Sequence, residues 1–290
     1  MTTLMASLAA HVVSRLGQSF LLILDAYYAV GPVFLILRKV VNDQGHRLVH
    51  IITRAKKNVT GYEDTPPKTK RRGAPRKYGN KICLASLFCD DIFEKVTIDI
   101  YREQKTILFF CKDLIWKPIQ EKVRFVLVID GHERFILMSS DVTLSPEEII
   151  RAYSYRFKIE ITFKVMKHLM GTFFYHFWTG VWPDKKDNLK DNEKRLIART
   201  ADAIEAFVNF GCIATGILQI LALNHHTKIW QRYEGWVRTA TSIIPSEEIV
   251  KSVLQEEYFH NFHSFSNTAM YQIIMSKRRG NEYNQLLKTG

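Results

Sequence analysis

Cysteine is scarce in this chain: four among 290 residues, at Cys83, Cys89, Cys111 and Cys212, with no C-x-x-C pair. That spacing excludes a secreted disulfide scaffold and a structural zinc finger. Acidic residues are missing altogether from the first 24 positions, and the whole chain has 29 Asp plus Glu against 41 Lys plus Arg, a formal charge of +12. A surplus of that size favours a polyanionic partner and argues against an acidic-surface enzyme of small metabolites. Met1 to Gly17 lacks the cationic start and long apolar run of a signal peptide. The longest apolar stretch, Ala203 to Leu223, is interrupted by Glu205, Asn209 and Gln219, so it reads as a buried core helix rather than a membrane span. With 47% hydrophobic residues the chain has ample material for one large core or two modest ones.

What is present begins with helical periodicity at Leu4, Leu8, Val12, Val13 and Leu16, closed by Gly17. Phe20 to Leu24 is a short continuous apolar run, the mark of a strand buried on both faces, and it stops at Asp25. Gly31-Pro32 opens a second short helix through Leu37, and Leu48 to Thr53 reads as another buried strand. Helix, strand, helix, strand within about 55 residues is an α/β layer pattern. From Arg54 to Lys77 the composition shifts to nine basic residues against Glu63 and Asp64, with Pro66, Pro67 and Pro75, which reads as a loop or arm. Strands are expected over Lys95–Tyr101, Thr106–Cys111, Val123–Ile129 and Arg134–Met138, the last two joined by an Asp130-Gly131 hairpin turn. Asp141 belongs to the turn that enters the next helix.

Ser145-Pro146-Glu147-Glu148 supplies an N-cap, a proline at the first helical position and acids in the first turn, so a long helix should run to about Leu169. The remainder reads as helical, with a second helix start at Ser246-Glu247-Glu248. On the long helix, Tyr153, Arg156, Glu160 and Lys167 project within a stripe of roughly 60°, spread along about 21 Å. Phe157, Ile161, Val165 and Leu169 fall on the adjoining face as its expected anchor in the core. A carboxylate between cations suits phosphodiester chemistry, because it can ligate a divalent metal while Arg and Lys clamp phosphate oxygens. The same stripe also fits an ordinary amphipathic helix in which Arg156 and Glu160 form an i,i+4 pair.

The spacing Y-x2-R-x3-E-x6-K of those four residues resembles the YREK signature of one group of bacterial insertion-sequence transposases, DDE enzymes of the RNase H-like fold. Asp25, after a buried strand and before Ala-Tyr-Tyr, is similar to the second catalytic aspartate of that family. The 135 positions from Asp25 to Glu160 match a β-rich insertion between its second and third acids. Arg54-Ala-Lys-Lys-Asn58, Lys70 to Tyr78 and Phe173 to Trp178 also resemble segments of these proteins, and the likeness runs from about Leu8 to the late 220s. It implies an incomplete RNase H-like core over 1–54, a basic arm and β-rich insertion over 55–144, the catalytic-Glu helix and remaining core helices over 145–225, and a helical region over 226–290.

The resemblance further implies nicking of mobile-element ends and strand transfer into target DNA at a two-metal centre of Mg2+ or Mn2+. Asp25 and Glu160 are then the catalytic metal ligands, Tyr153 and Arg156 hold phosphates beside the scissile bond, and Lys167 holds the neighbouring backbone. Lys68, Lys70, Arg71, Arg72, Arg76 and Lys77 give sequence-independent affinity for double-stranded DNA. Trp116 is a candidate for stacking on a distorted base, set against the ordinary role of an aromatic between strands, core packing. Asp130 is explained by its turn, and His225-His226 and His260-x2-His263 lack metal-site geometry.

The family's first acid, on a strand upstream of the second, has no counterpart before Asp25. The expectation is therefore an N-terminally truncated chain, inactive alone, whose strand Phe20–Leu24 has lost a neighbour and leaves an apolar edge open. It would work in the bacterial cytoplasm or nucleoid, away from membranes, as a homodimer or in mixed assembly on DNA. The competing readings are a non-catalytic DNA-binding remnant that inhibits a full-length transposase, and an unrelated RNase H-like nuclease. Neutralising Lys68 to Lys77 is expected to weaken duplex binding and to flatten the slope of log affinity against log salt in gel-shift titrations. An unchanged slope removes the arm from the interface.

Overall fold

The computed structural model describes residues 1–66, 76–89, 92–101, 103–176, 179–180, 189–237 and 242–277. It divides into two compact units, Met1–Ile159 and Glu160–Gly290. Lys68, Lys70, Arg71 and Arg72 of the basic arm lie outside the described residues.

The first unit contains α1 (Thr2–Leu16), β1 (Phe20–Leu24), α2 (Gly31–Leu37), β2 (Val49–Arg54), β3 (Thr60–Tyr62), β4 (Lys81–Cys83), β5 (Glu94–Ile100), β6 (Glu103–Trp116), β7 (Glu121–Asp130), β8 (Glu133–Ser139) and α3 (Pro146–Ser154). All eight strands join one mixed sheet in the order β1-β2-β8-β7-β6-β3-β4, with β5 pairing β6 beside that path. β1 and β2 are parallel, from Phe20 opposite Val49 to Leu24 opposite Thr53. β2 then meets β8 antiparallel, Ile52 opposite Ser139, so the β-rich stretch continues the same sheet.

The sheet is this continuous because its middle strands are buried on both faces. Ile51, Phe125, Leu127, Ile136 and Met138 enter a core shared with α1 and α2. Their neighbours Ile52, Val126, Val128 and Leu137 point the other way, onto Ile149 and Ile150 of α3. Each fully buried aliphatic side chain contributes about 1.5–3 kcal/mol, so the period-2 alternation stabilises both layers at once. The Asp130-Gly131 turn closes β7 onto β8, with Gly131 at φ 57° as a tight hairpin requires. Glu121 accepts from both Arg38 (3.0 Å) and Arg47 (2.7 Å), tying the end of α2 and the approach to β2 to the start of β7.

Five expectations change, the last of them in the second unit. The arm from Arg54 to Lys77 contains a packed element, β3, because Tyr62 pairs with Ile115 and Val59 is buried. β1 is only half-buried, with Leu21 exposed, since among the described residues nothing pairs with its outer edge. α1 forms, yet Leu4, Leu8, Val12 and Leu16 face solvent, and Ala6 and Val13 are the buried residues. The small side of that helix permits the closer approach to α2.

The fourth change concerns the long helix. Ser145 and Glu148 form a reciprocal capping box at 3.2 and 2.8 Å, with Pro146 in the first turn, as the sequence indicates. The path then breaks into a 3-10 turn at Tyr155–Phe157, α4 (Lys158–Lys164) and a π segment at Val165–Leu169. A uniform 100° projection does not survive two changes of pitch. Phe157 and Ile161 are exposed rather than anchored, and Met166 is the residue that is buried.

In the second unit α5 (Asp191–Asn224), α6 (His226–Arg232) and α7 (Glu247–His260) pack around Leu218, Ala222, Ile229, Ile249, Val250 and Val253, and α8 (Ala269–Lys277) follows. Thr172 lies so close to Gly211 that a Cβ there would sit 2.3 Å from its hydroxyl. α5 is the one helix among the described residues long and apolar enough to cross a membrane, by length and composition. It is not the buried core helix expected: α6 and α7 cover its C-terminal end, while Phe210 is 72% exposed and Ile213, Ile217 and Ile220 follow it on the surface.

Asp141 turns β8 toward α3 by accepting from the Thr143 amide (2.9 Å) and hydroxyl (2.6 Å). Burial works to raise its pKa, but those bonds, with His50 and Arg124, outweigh it and hold the carboxyl below its ordinary 3.8. The stability it adds is therefore complete above the unfolded value and is lost as pH falls through the lower folded one. Asp141→Asn should destabilise the protein at pH 7 and show a smaller loss between pH 5 and the acid limit (roughly, from carboxylate titration) in denaturant melts.

Candidate active site

Asp25 stands at the carboxyl end of β1, exposed, in extended backbone at φ −72° and ψ 160°. One carboxylate oxygen accepts from the Ala26 amide at 2.7 Å and caps the short 3-10 turn Ala26–Tyr28. The other has no hydrogen-bond partner among the described residues. The capping role is thus real, and it occupies only half of the group. Thr53, fully buried opposite Leu24 on β2, donates its hydroxyl to the Asp25 carbonyl at 2.9 Å, so the strand end is fixed from behind.

Tyr153 and Arg156 reach this strand end from the α3 side. The 3-10 turn after α3 packs on β1, and Tyr153 is half-buried within electrostatic range of Asp25, Arg54 and Arg156. Burial pushes the Tyr153 phenol above its ordinary 10; the Arg156 guanidinium, which also donates to its oxygen, pulls it back, and the Asp25 carboxylate pushes it up again. At neutral pH the group is a phenol that can donate to an anion. One carboxylate, one phenol and two guanidinium groups therefore gather at one end of two parallel strands, where α/β sheets present ligand sites.

Arg54 is the member to which sequence reasoning gave no role at the site, counting it among the basic residues of the arm and as the start of the family-like segment Arg54–Asn58. It is the last residue of β2, and its guanidinium lies over Phe135 at 5.2 Å. The signal was available: if Phe20–Leu24 and Leu48–Thr53 are parallel, the residue after the second strand stands beside the residue after the first.

Glu160 and Lys167 open the second unit, both exposed, Glu160 in α4 and Lys167 in the π segment. Arg76 and Lys77 are exposed, with the Lys77 ammonium over Tyr78 at 5.8 Å. Trp116 departs from expectation. Its ring is 7% exposed and meets Phe34 edge-on at 5.1 Å in the core shared with α2, so it has no open face for a base. Burial of that apolar area is the stronger demand on an aromatic at a strand end. Among the described residues no three His, Cys, Asp or Glu side chains form a group able to hold a metal ion.

The electrostatic couplings at Tyr153 give a direct test of this cluster. Asp25→Asn should lower the Tyr153 pKa and Arg156→Ala should raise it, read by NMR titration of labelled tyrosine above pH 9 (roughly where phenols begin to ionise). Identical titrations in both variants would separate Tyr153 from its two neighbours.

A comparison with curated proteins finds no match. A family model described as "Transposase DDE domain" matches residues 2–174, well over half of the chain, from α1 through the strand end at Asp25 to the segment after the π turn. With that span covered, this chain belongs to the transposase DDE domain family.

Proposed function

We propose that the chain contributes the second and third acids of a DDE transposase centre, within an RNase H-like core of the bacterial insertion-sequence type that carries the YREK signature. Asp25 and Glu160 are those acids. Tyr153, Arg156 and Arg54 bind phosphate oxygens next to Asp25, and Lys167 with the basic arm holds the flanking duplex, the substrate being mobile-element ends and target DNA in the bacterial cytoplasm. The observation that carries this reading is the placement of Asp25 at the end of β1, beside the end of β2 at Arg54, with Tyr153, itself hydrogen-bonded by Arg156, within electrostatic range. An acid among phosphate-binding groups is what phosphoryl transfer requires.

DDE transposases generally use divalent metal ions. Asp25 and Glu160 are hard oxygen donors suited to Mg2+ or Mn2+, and such a centre supplies an activated oxygen nucleophile and charge neutralisation. Two carboxylates fall short of the three such a centre employs, and residues 1–24 offer no further acid. The chain's own residues then bind and orient DNA, and the chain is silent alone. The unpaired outer edge of β1 supports this part: a strand laid parallel to β1 would finish level with Asp25, about 4.8 Å away, so an aspartate just beyond it would complete the set.

A second reading, a non-catalytic DNA binder that poisons a full-length enzyme by mixed assembly, draws on the same shortage of acids. Purified chain is expected not to nick element-end DNA with Mg2+ or Mn2+. Nicking should appear when an upstream piece bearing a strand that ends in Asp is added, and should vanish with Asp25→Asn or Glu160→Gln. Cutting by the 290 residues alone, abolished by Glu160→Gln, would overturn the silence. Failure of every complementing piece, with DNA binding intact in both variants, favours the second reading.

A further inference from the structure

The β5–β6 hairpin turns in two residues, since Ile100 pairs with Glu103. Tight turns of that length place their central residues at positive φ and favour Asn, Asp or Gly. Here the first central residue is Tyr101, at φ 55°. A bulky aromatic in the left-handed region is disfavoured by its own Cβ, so turn chemistry does not explain it. Its side chain does. The Tyr101 hydroxyl donates to the Ser154 carbonyl, and its ring meets Tyr155 edge-on, centroids 5.9 Å apart at 89°. Lys158 places its ammonium over the other partner ring, 4.5 Å from the Tyr155 centroid. These groups, with Asp99 and Arg151, surround a cavity of about 500 Å3.

The carbonyl that Tyr101 takes belongs to the last residue of α3, immediately after Tyr153 and immediately before the helix tightens into the 3-10 turn that carries Arg156. We propose that Tyr101 is a positioning residue: the strained hairpin tip latches the end of α3 and sets the direction in which Tyr153 and Arg156 meet the phosphate beside Asp25. This rests on the phosphate-binding role given to those two residues above. A strained residue persists only where its surroundings hold it, and here the hold is a hydrogen bond and a ring contact to the element that bears the phosphate-binding pair. Tyr101 thus connects the β-rich part of the sheet to the helix end that bears Tyr153.

The test uses the full chain with Tyr101→Phe, Tyr101→Asn and Arg156→Ala, and each Tyr101 change combined with Arg156→Ala. Three quantities are read: hydrogen exchange at amides 154–158, the thermal midpoint, and affinity for a short duplex. Tyr101→Phe should speed exchange at those amides and weaken duplex binding about threefold to tenfold, the share of one hydrogen bond, with the midpoint lowered by no more than roughly 2–4 °C. Tyr101→Asn should weaken binding at least as much while the midpoint holds or rises, because Asn relieves the turn. With Arg156→Ala already present, either change should cost less affinity than it does alone, the remainder being the share carried by Tyr153. Unchanged exchange or affinity in Tyr101→Phe overturns the latch, and so does an equal loss in the Arg156→Ala background. If Arg156→Ala alone leaves affinity untouched, the phosphate-binding reading fails; the latch is then decided by exchange, sustained by faster exchange in Tyr101→Phe and overturned by none.

Discussion

Thr53 is polar, fully buried and placed at the last full turn of a parallel strand pair, where a valine would pack as well. Its hydroxyl is spent on the Asp25 carbonyl. A buried hydroxyl without that bond would cost a desolvation penalty of about 1–3 kcal/mol, so the hydrogen bond and the position of the aspartate are enforced together. The hydrophobic alternation on β2, β7 and β8 holds the strands against two layers of helix, and this single contact carries that rigidity to the backbone of Asp25. Arg54 next to it and Tyr153 above it are then placed by elements whose own packing leaves little freedom.

Much of the fold was legible because its signals are local. The run Phe20–Leu24, the Asp130-Gly131 turn and the Ser145–Glu148 capping box all appear where composition and spacing put them. Asp25, Tyr153 and Arg156 were singled out for a different reason, the resemblance of the motif residues to a known family; the structure puts Tyr153 in hydrogen-bond contact with Arg156 and within electrostatic range of Asp25. Non-local pairing was not legible. Nothing in residues 49–54 announces that they will pair with 137–139, and that pairing makes the β-rich stretch part of one sheet.

Orientation was the other blind spot. Apolar spacing in α1 and α5 gave helices but not the side they bury, since a helix of small and large residues can bury either face according to its neighbours. In α1 the small residues win against α2; in α5 the neighbours are too short to cover the apolar side. The 3-10 and π turns around α4 also carry no propensity signature, so a stripe drawn at constant pitch misassigned Phe157 and Ile161. Trp116 was misjudged by its chemistry alone, a ring suited to stacking that the core had already claimed.

The ladder between β2 and β8 has an architectural meaning. Backbone pairing runs without interruption from the long β6–β7 ribbon through β8 to the strand that ends at Arg54. Among the described residues that route crosses paired strands only, so the ribbon and the strand ends at Arg54 and Asp25 belong to one sheet rather than to two bodies joined by a loop.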